Sequence, residues 1–362
     1  MEWRVPLQNS LIWLGNPITT TKQFQLLLFA LCLALGLAIV LSVAVGAVPV
    51  PFATVLQVIG VRLGVLPEGS ALFSATDERI VWVFRLPRVL LGMMVGAALA
   101  VSGTTLQAVA RNPLADPFIF GISYGASVGA VLVLSFGWSL FGGFTLAIAA
   151  FAGALLATTA VYLLAQQQGS AHPLRLVLAG VALSYLLSAV TSYLVLRASI
   201  GGGTVASVLA WLAGSLARAE WSQLGLPGLV ILLVTGYLLL QSRQLNALLM
   251  GDESATGLGV NVERFRFQLF VLTSLLVGVV VAISGAIGFV GLMVPHVVRL
   301  VVGSDHRRVL PLAALGGALL LVVVDMLGRL LIAPQELPVG IVTAVFGGPF
   351  FLWLLRSKKG IG

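Results

Sequence analysis

The chain of 362 residues has one cysteine, Cys32, only 9% charged residues, and no G-x-x-x-x-G-K-[ST] segment. A single cysteine excludes a disulfide framework, a CxxC redox pair and a cysteine-rich metal site. Soluble domains carry roughly 25% charged residues. With 9% there is too little polar side chain to cover a soluble surface. Low charge with high hydrophobicity also excludes disorder. Without a P-loop the chain does not hydrolyse ATP through that motif. What it has instead is 59% apolar residues, which makes it a polytopic membrane protein.

Twenty Lys and Arg against 12 Asp and Glu give a net charge of +8. In a soluble protein that excess would point to nucleic acid. Here the basic residues stand singly in short loops between apolar runs, so they report topology and no nucleic-acid partner is expected.

The chain predicts an amino-terminal segment, 1–25, carrying Arg4 and Lys22, and then an apolar run at 26–48. That run exceeds the ~7–15 residues of a cleaved signal core and reads as a first span. Pro49 and Pro51 end it, and 52–84 reads as a loop holding a short helix. Further runs fall at 88–109, 121–141, 144–165, 174–196, 224–241, 267–287, 289–303, 309–333 and 338–355, which makes ten. Residues 205–217 predict a half-buried helix before the sixth span. The fold class expected is an all-α polytopic membrane protein of ten transmembrane helices with both termini cytoplasmic. The units are the segment 1–25, a ten-span domain 26–356 with a long cytoplasmic loop 242–266, and a tail 357–362. On that topology seven basic residues, Arg62, Arg79, Arg85, Arg88, Arg197, Arg218 and Arg329, face outward, and the other thirteen face the cytoplasm. This is the expected bias.

The 41 glycines suit helices whose backbones approach closely in the membrane. Ala100-Val101-Ser102-Gly103 precedes Pro113 as Ala282-Ile283-Ser284-Gly285 precedes Pro295, ten residues from glycine to proline in both. The two lie five spans apart, which fits inverted repeats.

Candidate chemistry is sparse. Gly121-Ile122-Ser123-Tyr124-Gly125 matches the G-x-S-x-G nucleophile elbow but opens an apolar span, where helix packing is the better reading. His172, His296 and His306 show no metal-ligand spacing. Asp325 is the one carboxylate placed for ion coupling, and Arg329 four residues on suggests a local pair. Residues 242–266 hold two short amphipathic helices, the first on Leu245, Leu248 and Leu249, with Gly251 as a break and Asp252 as a cap. With Asp252, Glu253, Arg264 and Arg266 around them, they suit docking to a soluble partner.

Several segments together resemble one family. They are Arg85-Leu86-Pro87-Arg88, GAALAVSGTTLQAVARNPLADPFIFGISYGASVGA (96–130), GDESATGLG (251–259), SGAIGFVGLMVPHVVRLVVGSDHRRVLP (284–311) and ELPVGIVTAVFGGPFF (336–351). From about residue 26 to 356 the chain is similar to the FecCD-type permeases of ABC importers, which carry iron–siderophores, haem or cobalamin. The resemblance implies a second permease subunit, the same or homologous, and two ATP-binding cassette subunits that bind ATP and Mg. It also implies a periplasmic or lipid-anchored substrate-binding protein, and no cofactor in this chain. By resemblance Arg85, Arg88 and Arg329 meet acidic residues of the binding protein. Gly251, Asp252 or Glu253, Ala255 and Gly259 match the loop that docks in the ATPase, with Ser254 where related loops often have Ala. The function expected is inward passage of a ferric siderophore through a plasma-membrane permease (the inner membrane in a Gram-negative cell), with haem or cobalamin as alternatives. An ion-coupled secondary transporter and a hydrolase resting on Ser123 are the rivals of another class.

Overall fold

A computed structural model describes residues 20–356 apart from 47, 68–72, 119, 168–169, 172 and 201–204. Residues 1–19, His172 and the tail 357–362 lie outside the described residues. The elements are helices, with one two-residue antiparallel pairing of Gln166–Gln167 and Ser170–Ala171.

Helix α1 spans Thr21–Ala44, and Thr20 caps it by accepting from the Gln23 amide. Helix α2, Phe52–Arg62, follows. Ser74 and Asp77 form a reciprocal capping box that starts α3, Ala75–Glu78. That helix passes through a π-helical turn, Arg79–Arg85, into α4, Leu86–Ala110. Residues 75–110 are thus one continuous helical stretch, where the sequence predicts a loop up to 84. Arg88 therefore sits inside a helix and does not open one.

Helix α4 is the central rod, buried over nearly its whole length. It packs on α15 (His306–Leu330), α13 (Val262–Ser284), α14 (Val290–Val302) and α10 (Leu226–Leu240). Small residues allow the approach. A Cβ added at Gly96 would overlap the Gly317 carbonyl, and one added at Gly103 the Gly291 carbonyl. Helices α5 (Ile122–Phe136) and α6 (Thr145–Ala165) form a tight pair in which Gly125 and Gly153 leave the same lack of room. Around these lie α7 (Pro173–Ile200), α8 (Val205–Leu212), α9 (Trp221–Leu224) and α16 (Val339–Arg356). The loop 242–266 contains α11, Ser242–Leu249, and α12, Asp252–Gly257.

Each of the ten predicted apolar runs falls on a helix, but seven meet the length and apolarity needed to cross a membrane. Helices α5, α14 and the apolar part of α16 are shorter. Helix α5 stops at Gly137, whose φ is 64°, and α14 is bounded by Phe289 and Gly303 at φ 67° and 77°. At 1.5 Å per residue α14 is about 20 Å long, against a hydrocarbon core of about 30 Å. The tetrapeptides also take different local structures. Gly103 lies within α4, whereas Gly285 ends α13 at φ 69°.

Candidate functional site

Helix α4 carries charged groups at both ends. Arg88 stands in its first turn and Arg111 at its C-cap, so the two are about 35 Å apart along the axis.

At the first end Arg85, Arg88 and Arg329 come together as buried side chains. Arg88 meets both carboxylate oxygens of Asp325 through Nε at 2.9 and 3.0 Å, and Glu336 through Nη1 at 2.7 Å. Arg329 lies 3.3 Å from Asp325 in the predicted i, i+4 pair. Its Nη2 donates to the Ser42 carbonyl at 2.9 Å, and Nη1 to the Val45 carbonyl at 3.2 Å. Arg85 donates to the carbonyls of Val43 and Ala44 at 2.8 and 2.9 Å, and to that of Val48. The last carbonyls of a helix lack intrahelical partners and carry partial negative charge. Helix α1 has no basic residue in its own last turn, so Arg85 and Arg329 supply that charge from elsewhere in the chain. The Asp325 carboxylate, the candidate for ion coupling, is spent on two guanidinium groups. Glu336 keeps 42% of its side chain exposed.

At the other end α11 buries Leu245, Ala247 and Leu248, while α12 buries Ala255 alone. Gly251 joins them at φ 110° and Gly259 follows at φ 83°. Both values lie in the left-handed region that favours glycine. Asp252 is the first helical residue of α12 and makes no cap there. Its carboxylate instead accepts from Arg111 and, at 3.0 Å, from Arg266. The carboxylate of Glu253 is on an exposed residue, and Met250 and Leu258 are 67% and 64% exposed beside it. Nearby, Gln107 donates to the Gly291 carbonyl at 3.1 Å and accepts from Arg299, tying α4 to α14. Asn246 donates to Asp305 at 2.7 Å and accepts from the His306 amide at 2.9 Å, tying α11 to α15. Burial alone would raise the Asp305 carboxyl, but the Arg307 amide and Asn246 hold it below its ordinary value. In the loop after α4, burial pushes the Asp116 carboxyl up to about 6.

Sequence reasoning passed over Arg111, Gln107 and Arg299. For Arg111 a signal exists: a long cation where a helix stops before Asn112-Pro113, a place usually held by glycine. Ser123 is buried in the first turn of α5 and its hydroxyl has no hydrogen-bond partner, so no base activates it. His296 sits on α14 against Phe350, and the His306 ring faces Asn246 at 2.8 Å. Among the described residues no group of His, Cys, Asp and Glu could hold a metal ion.

Comparison with known proteins places this architecture. The FecCD transport family matches residues 32–357. The hemin transport system permease protein of Yersinia pestis is 45% identical over 77% of this chain and 84% of its own. The cobalamin import system permease protein of Halobacterium salinarum is 41% identical over 95% and 90%. A solved structure, described as an inward-facing conformation of a metal-chelate type ABC transporter, superposes with a TM-score of 0.78 at 33% identity. It covers 91% of this chain and 99% of its own. The chain belongs to the FecCD transport family: it is a multi-pass membrane protein, a permease subunit of an ABC importer, with no ATPase fold of its own.

Proposed function

We propose that this chain forms half of a translocation path for a tetrapyrrole chelate, haem or cobalamin, moved inward by ATP turnover in partner subunits. The observation that carries the substrate is the pair of relatives above, one named for hemin and one for cobalamin, which together cover nearly all of this chain. They support the alternatives over the ferric siderophore expected from the sequence. The proposal includes ten spans, both termini inside, and residues 26–356 as the permease unit between the flanks 1–25 and 357–362.

The partners are a second permease subunit, two ATP-binding cassette subunits and a substrate-binding protein. The ATPase docks on α11–α12. Gly251 and Gly259 shape that loop, Ala255 anchors it, Asp252 is held internally, and Glu253, Met250 and Leu258 face the partner. The end carrying Arg85, Arg88 and Arg329 receives the binding protein. There Arg85 and Arg329 hold the end of α1, and a docking carboxylate would reach Arg88 by replacing the half-exposed Glu336. Energy enters as differential affinity, since the ATPase pair favours one permease conformation when ATP is bound and another afterwards.

The test is uptake into proteoliposomes holding the permease, its ATPase and its binding protein. Haemin or cyanocobalamin should accumulate with ATP, and a ferric hydroxamate should not. Accumulation of the hydroxamate alone would restore the siderophore. Uptake driven by a proton gradient without ATP would install the secondary carrier in its place.

A further inference from the structure

Arg111 ends α4 in the left-handed region, at φ 47° and ψ 37°. Among the described residues it shares a positive φ with only one other residue that is not glycine, Phe289. At the left-handed end of α5 the chain uses glycine, Gly137. A side chain in that conformation is strained, and an observed outlier of this kind points to a task that the side chain performs.

The task is visible in its contacts. Arg111 Nε donates to the Leu248 carbonyl at 3.0 Å, in the last turn of α11. Its Nη2 donates to the Asp252 carboxylate, in the first turn of α12. One guanidinium thus holds both sides of the Gly251 hinge. Little else holds α12. Its one buried residue is Ala255, and Glu253, Ser254, Thr256 and Gly257 are exposed. Among the described residues, its side-chain ties to the body besides that alanine are the ion pairs of Asp252 with Arg111 and with Arg266 of α13, and the Val260 amide donates to the Ala255 carbonyl at 3.0 Å. Lysine would bring the charge but not the planar fork that serves a carbonyl and a carboxylate at once.

We infer that Arg111 is the positioning residue of the α11–α12 pair: it fixes the angle between the two short helices and fastens that pair to the end of α4. A displacement of α12 by a docked partner is then delivered directly to the central helix. The inference rests on the reading of α11–α12 as the ATPase-docking element.

The experiment places spin labels at Gln244→Cys and Ser254→Cys in a Cys32→Ser background and measures their separation in the purified subunit. The wild type should give one narrow distance distribution. Arg111→Gly should broaden it while leaving the thermal midpoint unchanged or higher, because glycine relieves the backbone. Arg111→Lys, which keeps the charge, should broaden it partly. In the reconstituted importer Arg111→Gly should lose about tenfold or more of uptake while ATP hydrolysis persists. A narrow distribution in Arg111→Gly overturns the inference. If that variant loses its fold, a narrow distribution in a folded Arg111→Lys overturns it equally. The docking reading is tested apart, by co-purification of the ATPase with a Glu253→Arg/Leu258→Asp variant. Undiminished recovery there removes the docking reading and leaves the distance measurement to decide the clamp.

Discussion

Asp325 serves two cations at once. Its carboxylate is almost fully buried between Arg88 and Arg329. Removing one partner of a buried ion cluster leaves charge uncompensated in a medium that solvates it poorly, at a cost of about 3–5 kcal/mol. Asp325→Asn should therefore lower the thermal midpoint of the purified subunit strongly. Glu336→Gln should lower it little, because a half-exposed ion pair contributes at most about 1 kcal/mol. Equal midpoints for the two variants would mean that Arg88 and Arg329 draw their stabilisation from elsewhere. Sequence spacing reached the pair of Asp325 and Arg329, because a helix places i and i+4 on one face. It could not reach Arg88, whose partner is 237 positions away, nor the carbonyls at the end of α1. Those contacts exist only once α1, α4 and α15 have packed. The same limit explains Asp252. Its place after a glycine reads as a helix cap, and only the fold brings Arg111 and Arg266 to it.

At the scale of elements, composition told that small residues would line helix contacts but not which ones. Gly103 and Gly291 face each other where α4 crosses α14, and the atom that a Cβ at 103 would meet is backbone. Backbone cannot turn aside as a side-chain end can. Gly103→Ala should therefore cost about 1–3 kcal/mol or more and move α14 away from α4. Gly36, on the exposed side of α1, has nothing within 4 Å of an added Cβ. There alanine should be neutral or stabilising by up to about 1 kcal/mol through helix propensity. Thermal unfolding of both variants checks the contrast. Two losses of similar size would show that helix flexibility, and not the crossing, sets the cost. Helix existence was legible along the chain because long apolar runs have few other solutions in a membrane. Helix ends were less so. The capping box at Ser74 and Asp77 starts a helix that runs on through Leu86-Pro87, with the π-helical turn Arg79–Arg85 immediately before that dipeptide.

For the whole molecule, orientation follows from the two ends of α15. Its start is tied to α11 through Asn246 and His306, and its far end carries Arg329 beside the loop to α16. Twenty-five residues give about 37 Å, enough to cross the hydrocarbon core. Met250 and Gln335, both exposed, should therefore lie on opposite sides of the membrane, whether or not the short α14 counts as a span. The side follows from the free cations. Arg243, Arg264 and Arg307 are exposed at the Met250 end. At the other end Arg85, Arg88 and Arg329 are buried against carbonyls and carboxylates, which leaves fewer solvated charges there. The burial of these three arginines adds to the inside-positive bias and supports the proposed orientation, with Met250 in the cytoplasm. In a Cys32→Ser background, Gln335→Cys should react with an impermeant thiol reagent on intact cells (spheroplasts where there is an outer membrane). Met250→Cys should react only after permeabilisation. The reverse pattern would invert the subunit and put α11–α12 out of reach of any cytoplasmic ATPase. Labelling of both from one side would mean that α15 does not cross.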